Sequence, residues 1–134
     1  MKKAKIGVIL GSGFDRFLEG EREISASTKY GAVEAREGEI EGIEIIFLNR
    51  HGRNAAPPHK INHRANISAL KKLDVERIIA TSAVGSMHKH IKVGDLVLLD
   101  QLLDFSRHAQ TFHDRKAVHV DVSEPFCPEL RSII

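Results

Sequence analysis

Three short segments combine glycine, hydroxyl groups and fixed positive charge, and each directly follows an apolar run. They are Gly11-Ser12-Gly13, Asn49-Arg50-His51-Gly52 and Thr81-Ser82-Ala83-Val84-Gly85-Ser86, of which the last has three hydroxyls with small spacers. Glycine allows a close backbone approach, a hydroxyl donates hydrogen bonds, and a guanidinium is a planar donor fork that matches the oxygens of a phosphate. Each segment alone also fits an ordinary turn or exposed loop. Because ligands of open α/β sheets collect at the carboxyl ends of strands, the three together predict a site for a phosphate-like anion.

The charge distribution also indicates an anionic partner. Asp15 to Glu44 carries nine acidic and four basic residues, whereas Ile45 to Leu73 has six basic residues and no acidic one. The alternative is a solvated basic face that pairs with the acidic region, and Lys71 and Lys72 suit a helix C-terminus. Residues 49–73 contain no Phe, Tyr or Trp for base stacking and no nucleic-acid-binding motif, so no nucleic-acid partner is predicted.

Other kinds of site have weaker support in the sequence. Arg16 stands where a dinucleotide fingerprint would place its third glycine. The eight histidines lack metal-ligand spacing, so the pairs His88/His90 and His108/His113 are predicted to be surface residues and no metal is expected. No nucleophile and base are recognisable, so no catalytic residue is assigned.

The apolar segments and the single cysteine predict the cellular compartment and whether the chain contacts a membrane. The longest uncharged stretch, Ile78 to Met87, is about half of what a membrane span requires, and Ile6 to Leu10 is too short for a secretory signal. Cys127 excludes an internal disulfide and is predicted to lie in the core. We expect a cytoplasmic protein without membrane contact.

The three segments that are predicted to bind an anion must be positioned by strands and a helix. The patterns of these elements are visible in the sequence. Nearly continuous apolar runs predict buried strands, alternation around Glu41-Gly42 predicts a hairpin, and an apolar stripe at helical spacing predicts a helix. The predicted elements are a strand at 5–10, a hairpin of 28–40 with 43–48, a loop at 49–59, a helix within 61–73, a strand at 77–81, a strand at 96–99, an irregular stretch at 100–117 and a helix start at Pro128.

The last helix carries an apolar stripe, Leu130, Ile133 and Ile134, that is only one turn long. A single apolar turn cannot stabilise a helix alone. The expectation is therefore that residues 1–134 form a single partial domain within a larger fold.

Several motifs together resemble one protein family over nearly the whole chain. In order they are Gly11-Ser12-Gly13, Arg50-His51-Gly52-Arg53, Pro57-Pro58-His59-Lys60-Ile61-Asn62-His63-Arg64-Ala65-Asn66-Ile67, Ser82-Ala83-Val84-Gly85-Ser86, Gly94-Asp95-Leu96-Val97 with Asp100-Gln101, and Glu124-Pro125-Phe126-Cys127-Pro128. The chain resembles the N-terminal half of the methylthioadenosine branch of the trimeric purine nucleoside phosphorylase family.

The resemblance implies a fold, a reaction and a set of site residues. The fold is a three-layer α/β, phosphorylase-type fold with a mixed, mostly buried central sheet, incomplete at the C-terminus. The reaction displaces a purine from C1′ of a nucleoside with inorganic phosphate as co-substrate and without a cofactor. The side chains of Ser12, Arg50, His51 and Ser82 would bind phosphate beside the Ala83 backbone. His119 would come from the neighbouring subunit of a homo-oligomer, a trimer or a multiple of it, and border the 5′-substituent pocket.

The chain departs from the family pattern at three points. Ser12 stands where the methylthioadenosine branch commonly has threonine, and His63 stands where tyrosine is usual. The family's second half, with its purine-reading residues, is absent. Methylthioadenosine is the favoured substrate, but methylthioinosine and 6-oxopurine nucleosides fit the sequence too. The alternatives are a truncated non-catalytic phosphate-binding or assembly module, or one subunit of a split enzyme whose second chain supplies the missing half.

Overall fold

The computed structural model describes residues 5–11, 18–106 and 111–134. These residues fall into two units, Met1–Ala83 and Val84–Ile134. The first unit contains a five-stranded sheet and a helix that packs on it, whereas the second contains one short helix and extended or turn segments within its described part.

The sheet of the first unit is mixed and has the strand order β2-β3-β4-β1-β5. β1 is parallel to both β4 and β5, whereas β3 is antiparallel to β2 and β4. The carboxyl ends of β1, β4 and β5 therefore lie at one edge of the sheet. The strands are β1 (Ile6–Leu10), β2 (Arg22–Thr28), β3 (Gly31–Ile40), β4 (Ile43–Asn49) and β5 (Arg77–Ala80).

The predicted hairpin is present and joins β3 to β4 through Glu41-Gly42. Both turn residues have positive φ, 50° at Glu41 and 75° at Gly42. A two-residue turn of this kind matches the right-handed twist of the flanking strands. The strand predicted at 5–10 and the strand predicted at 77–81 also form, as β1 and β5.

The predicted helix within 61–73 forms as α1 (His63–Lys72), preceded by a 3-10 turn at Pro58–Lys60. The Asn62 side chain caps α1, because its Oδ1 accepts a hydrogen bond from the Ala65 N–H at 3.0 Å. Asp74, at φ 60°, reverses the chain after the helix. Lys71 and Lys72 lie in the last turn of α1, as predicted, and Lys72 Nζ donates to the Ser27 carbonyl at 2.9 Å.

Both faces of the central strands are buried. On the α1 side, Ala65, Ala69 and Leu70 pack with Ile46 and Leu48 in one cluster. Leu10, Ile45 and Phe47 form a second cluster that includes Val8 and Leu18. Pleating sends alternate side chains to opposite faces, so the continuous apolar run of β4 serves both clusters. The mixed central sheet with a mostly buried centre, which the family resemblance implies, is present.

Three sequence predictions about burial and strands are wrong. Residues 96–99 form no strand, because an apolar run needs a neighbouring backbone to pair with and these residues have none among the described part of the chain. The strand at 77–81 was predicted to be buried, but Ile78 and Ile79 of β5 are 40% and 38% exposed, because β5 lies at the edge of the sheet. Cys127 is exposed rather than in the core, since it lies at the first position before a short surface helix, α2 (Pro128–Ile133).

The helix predicted to start at Pro128 is present as α2, with Pro128 at its first position. Within the second unit, Gln101 Nε2 donates to the Ser123 carbonyl at 3.0 Å and Arg131 lies 3.9 Å from the Asp100 carboxylate. Neither α1 nor α2, the helices of the described residues, has the length and apolar content to cross a membrane.

Candidate functional site

The carboxyl ends of β1, β4 and β5 bring together residues from the three segments singled out in the sequence. The Arg50 N–H donates to the Leu10 carbonyl and the Thr81 N–H donates to the Ile9 carbonyl, both at 3.0 Å. The chain segments that leave β4 and β5 therefore flank Gly11 at the end of β1. This convergence was predicted from strand ends alone.

The Arg50 guanidinium lies across this edge. Its Nη1 donates to the Thr81 carbonyl at 2.8 Å. A Cβ atom on Gly11 would lie 3.1 Å from Nη2 and 3.4 Å from Cζ, so the absence of a side chain at Gly11 gives the guanidinium its space. Among the described residues, Arg50 forms no ion pair with a carboxylate. A half-buried fixed cation without a counterion is a ready partner for an anion.

Arg53, three residues later, has the opposite environment. Its guanidinium pairs with Glu23 and Glu34, both at 2.6 Å. The alternative interpretation of the basic segment, pairing with the acidic region before it, therefore applies to Arg53, whereas Arg50 has no such pair among the described residues.

His51 is fixed in one tautomer by its two ring neighbours. Nδ1 lies 2.7 Å from the Ala56 carbonyl, which can only accept, so Nδ1 carries the proton. Arg50 Nε donates to Nε2 at 3.3 Å, so Nε2 acts as an acceptor. The His51 backbone N–H donates to Asn49 Oδ1 at 3.0 Å, which closes a turn at the end of β4. His51 thus presents Nε2 as an acceptor beside the Arg50 guanidinium.

The remaining predicted site residues lie in different parts of the chain. Ser82 and Ala83 are exposed and directly follow Thr81, so they lie at the same edge as Arg50. Ser12 lies outside the described residues. His119 is exposed in the second unit. Binding of phosphate by these residues stays a prediction.

Positive charge at the start of α1 is disfavoured by the helix dipole, so the contacts of Arg64 there are informative. The Arg64 guanidinium lies 5.8 Å from the centre of the Tyr30 ring, and Lys29 Nζ lies 4.9 Å from it. Stacking on an aromatic face is therefore one interaction of Arg64.

The histidines considered for metal binding lie in the second unit or outside the described residues. His88 and His90 are exposed, and their ring centres lie 5.4 Å apart. His108 lies outside the described residues. Within the part of the chain that the structure describes, no three His, Cys, Asp or Glu side chains gather as a metal site would require.

Two contacts at the site have little or no signal in the sequence. The Thr81 carbonyl is a backbone group, so no residue type announces it. Asn66 Nδ2 donates to the Arg50 carbonyl at 3.2 Å. The available signal for Asn66 was a polar residue placed beside Ala65 within the apolar stripe of α1.

Comparison with known proteins places the chain in a family. Residues 5–134 match the phosphorylase superfamily. A probable 6-oxopurine nucleoside phosphorylase of Thermococcus kodakarensis is 51% identical over 142 residues, which cover 97% of this chain and 53% of the relative. An S-methyl-5'-thioadenosine phosphorylase of Pyrococcus horikoshii is 46% identical over 134 residues, which cover 96% of this chain and 52% of the relative.

The fold agrees with the sequence comparison. A methylthioadenosine phosphorylase from Schistosoma mansoni, solved in complex with tubercidin, superposes with a TM-score of 0.90 at 35% identity, covering 98% of this chain and 50% of that one. The chain spans about half the length of the curated relatives it matches. The family resemblance drawn from the motifs is confirmed, and this chain belongs to the phosphorylase superfamily.

Proposed function

We propose that this chain forms the phosphate-binding part of a purine nucleoside phosphorylase. The reaction is attack of inorganic phosphate on C1′ of a purine nucleoside, with release of the free purine and a ribose 1-phosphate. The observation that carries the proposal is the Arg50 guanidinium, which lies without a carboxylate partner among the described residues where three parallel strands end. The relatives named for 6-oxopurine nucleosides and for methylthioadenosine support the reaction class.

The geometry suits a nucleophilic phosphate. Of the five N–H groups of a guanidinium, Arg50 uses one on the Thr81 carbonyl and one on His51, which leaves three for the oxygens of an anion. Cleavage of a glycosidic bond passes through an oxocarbenium-like state, and an oriented phosphate dianion both attacks and stabilises that cation. The hydroxyls of Ser12 and Ser82 and the Ala83 backbone N–H would add donors around the same anion.

His51 contributes differently from Arg50. Because its Nδ1–H is held by the Ala56 carbonyl, the ring has one lone pair, on Nε2, which accepts from Arg50 Nε at 3.3 Å. To accept the proton of a hydrogen phosphate, Nε2 would exchange this Arg50 donor for the anion. No cofactor takes part in this proposal, since phosphate is the nucleophile and no electron transfer is needed.

The substrate we favour is 5'-methylthioadenosine, with methylthioinosine and 6-oxopurine nucleosides as alternatives. Phosphate-dependent release of adenine from methylthioadenosine, measured against release of hypoxanthine from inosine, distinguishes them. Phosphate binding with no turnover of either nucleoside, even when a second polypeptide supplies the missing half, would favour the second candidate, a non-catalytic phosphate-binding module. The observation that favours this candidate is that the chain spans about half the length of the relatives it matches.

The phosphate site is tested by calorimetric titration of inorganic phosphate into the wild-type chain and into Arg50→Ala. Loss of a charge-assisted pair worth roughly 1.5 to 3 kcal/mol weakens binding by about tenfold to a hundredfold. Arg53→Ala is the matched control, because it removes the same charge from a guanidinium that is paired with Glu23 and Glu34. Equal affinity of the wild type and Arg50→Ala for phosphate would show that the site is wrongly assigned.

A further inference from the structure

Asn66 is the one buried polar residue among those that the structure describes. It is 8% exposed and lies on α1 beside Ala65, Ala69 and Leu70, which are all buried. Burying an amide among apolar side chains is costly unless it is hydrogen-bonded. An alanine at this position would carry no polar group to satisfy, so core packing does not explain the amide.

The partner of this amide belongs to the candidate phosphate site. Asn66 Nδ2 donates to the Arg50 carbonyl at 3.2 Å, while the Arg50 N–H donates to the Leu10 carbonyl at 3.0 Å. The two peptide groups of Arg50 are thus held from two directions, one by β1 and one by α1. The Arg50 carbonyl also belongs to the peptide that leads into His51, so the same contact fixes where both side chains leave the strand.

We infer that Asn66 is a positioning residue for the anion site, acting through the backbone of Arg50 and His51. This inference rests on the proposed function, because it assumes that Arg50 binds phosphate. Asn66 itself does not touch the anion. Its amide sets the direction of the Arg50 side chain, whose Nη1 reaches the Thr81 carbonyl. A displacement of about 1 Å in a binding group can greatly weaken its interaction with a ligand. A backbone contact that holds Arg50 in place therefore controls the affinity for phosphate.

The chain offers a matched control on the same helix. Asn62, the N-cap of α1, uses both ends of its amide, since Oδ1 accepts from the Ala65 N–H at 3.0 Å and Nδ2 donates to the Tyr30 carbonyl at 2.8 Å. Asn62 forms no hydrogen bond with Arg50 or His51 among the described residues. Its loss destabilises α1 without altering the contact to Arg50.

The test measures phosphate affinity and stability together. Inorganic phosphate is titrated by calorimetry into the wild-type chain and into Asn66→Ala, Asn66→Asp, Asn62→Ala and Arg50→Ala, well below the melting temperature of the least stable variant. We expect Asn66→Ala to weaken phosphate binding by about tenfold. Asn66→Asp keeps the shape but, as a carboxylate, cannot donate to the Arg50 carbonyl, so it should bind at least as weakly. Asn62→Ala should lower the melting temperature yet keep its affinity within about twofold of wild type.

A double variant separates the inference from the function on which it rests. In the Arg50→Ala background, Asn66→Ala should reduce phosphate affinity by a smaller factor than in wild type, because the part of its effect that acts through the Arg50 side chain is already lost. If Arg50→Ala weakens binding and both Asn66 variants do not, the positioning role is wrong and the phosphate site stands. If Asn62→Ala weakens binding as much as Asn66→Ala, the effect is one of helix stability and the inference is overturned. If Arg50→Ala itself has no effect, the proposed function fails.

Discussion

Two arginines three residues apart show how surroundings decide what a charged side chain can do. Arg53 is paired with two carboxylates, and a paired surface charge contributes little beyond its own ion pairs. The Arg50 guanidinium contacts a carbonyl oxygen and an imidazole nitrogen, which are neutral acceptors. Among the described residues, no carboxylate therefore offsets the charge of Arg50.

The tautomer of His51 is a prediction that can be checked directly. Since Nδ1 faces the Ala56 carbonyl and Nε2 faces Arg50 Nε, long-range proton–nitrogen NMR at neutral pH should give a protonated-type shift for Nδ1 and an acceptor-type shift for Nε2. His59, exposed in the following loop, is the comparison residue. The opposite pattern, with the proton on Nε2, would contradict the hydrogen bond to Ala56.

His119 carries a prediction about substrate preference. The family resemblance places this residue at the edge of a neighbouring subunit's pocket, where an imidazole offers a flat, semi-polar wall to an alkylthio group. In the active assembly, His119→Ala should therefore reduce kcat/KM for methylthio substrates more than for 5′-hydroxyl nucleosides. His113→Ala is the control, because His113 is also exposed in the second unit. An equal loss on both kinds of substrate would mean that His119 is structural.

The sequence identified the site by position but not by contact. Arg50 and Ser82 were predicted from apolar runs that end in polar residues, and the role of Ala83 was implied by the family resemblance. The structure brings their chain segments to one edge of the sheet. The acceptor for Arg50 is the Thr81 carbonyl, and a backbone atom has the same chemistry whatever the residue. Asn66 was not singled out because a polar residue in an amphipathic helix is more often at its solvent boundary.

At the scale of elements, prediction succeeded where local chemistry and pattern agreed. The hairpin of β3 and β4 has a turn that accepts positive φ, and α1 has both an apolar stripe and a capping Asn62. β2 was missed, because Arg22–Thr28 buries only Ala26 fully and therefore has a weak pattern. Residues 96–99 have the apolar pattern of a strand, yet strand formation depends on a partner that the local sequence does not encode.

An ion-pair group on the sheet makes stability depend on pH. The hydrogen bond from Arg22 to Glu37 is the main cause that lowers the pKa of the Glu37 carboxyl below its usual 4.5, and Lys5 adds to it at 3.4 Å. The unfolded chain then binds more protons than the folded one near this pKa, so stability rises with pH. The contribution of Glu37 is complete well above pH 4.5 and is lost as the pH falls through the folded-state pKa.

Glu37→Gln tests this dependence. At pH 7 the variant should have a free energy of unfolding lower by about 0.2 to 1 kcal/mol, because Arg22 is largely exposed. In urea unfolding from pH 7 to pH 3, the difference from wild type should shrink below about pH 4.5 as the wild-type carboxyl is protonated. Glu39→Gln, two residues further along β3, is the control. A difference that stays constant over this range would contradict the lowered pKa.

At the scale of the whole molecule, the two units differ in what they bury. The first has a sheet covered on both faces at its centre, whereas the second has large apolar side chains that are almost fully exposed, among them Met87, Val93 and Leu96. β5 pairs only with β1 among the described residues, so its other edge is open. Apolar patches and open strand edges of this kind are typical of surfaces that contact another polypeptide.

The last prediction concerns the purified 134-residue chain, which we expect to self-associate or to depend on a second polypeptide, and to be a very poor phosphorylase. Burial of the exposed apolar side chains favours association, so light scattering should give a mass above the 14.9 kDa of one chain. Rapid turnover requires stabilisation of the leaving purine as well as of the cation beside phosphate, and the resemblance assigns the purine-reading groups to the part of the relatives that this chain does not cover.

Phosphate-dependent release of adenine from methylthioadenosine should therefore be negligible for the chain alone, although phosphate binding through Arg50 persists. Arg50→Ala serves as the blank for any residual release, because it removes the proposed phosphate contact and leaves the exposed apolar surface unchanged. A stable monomer that turns over at about 1 to 100 per second, as ordinary enzymes do, would show that the groups of this chain suffice for both halves of the reaction.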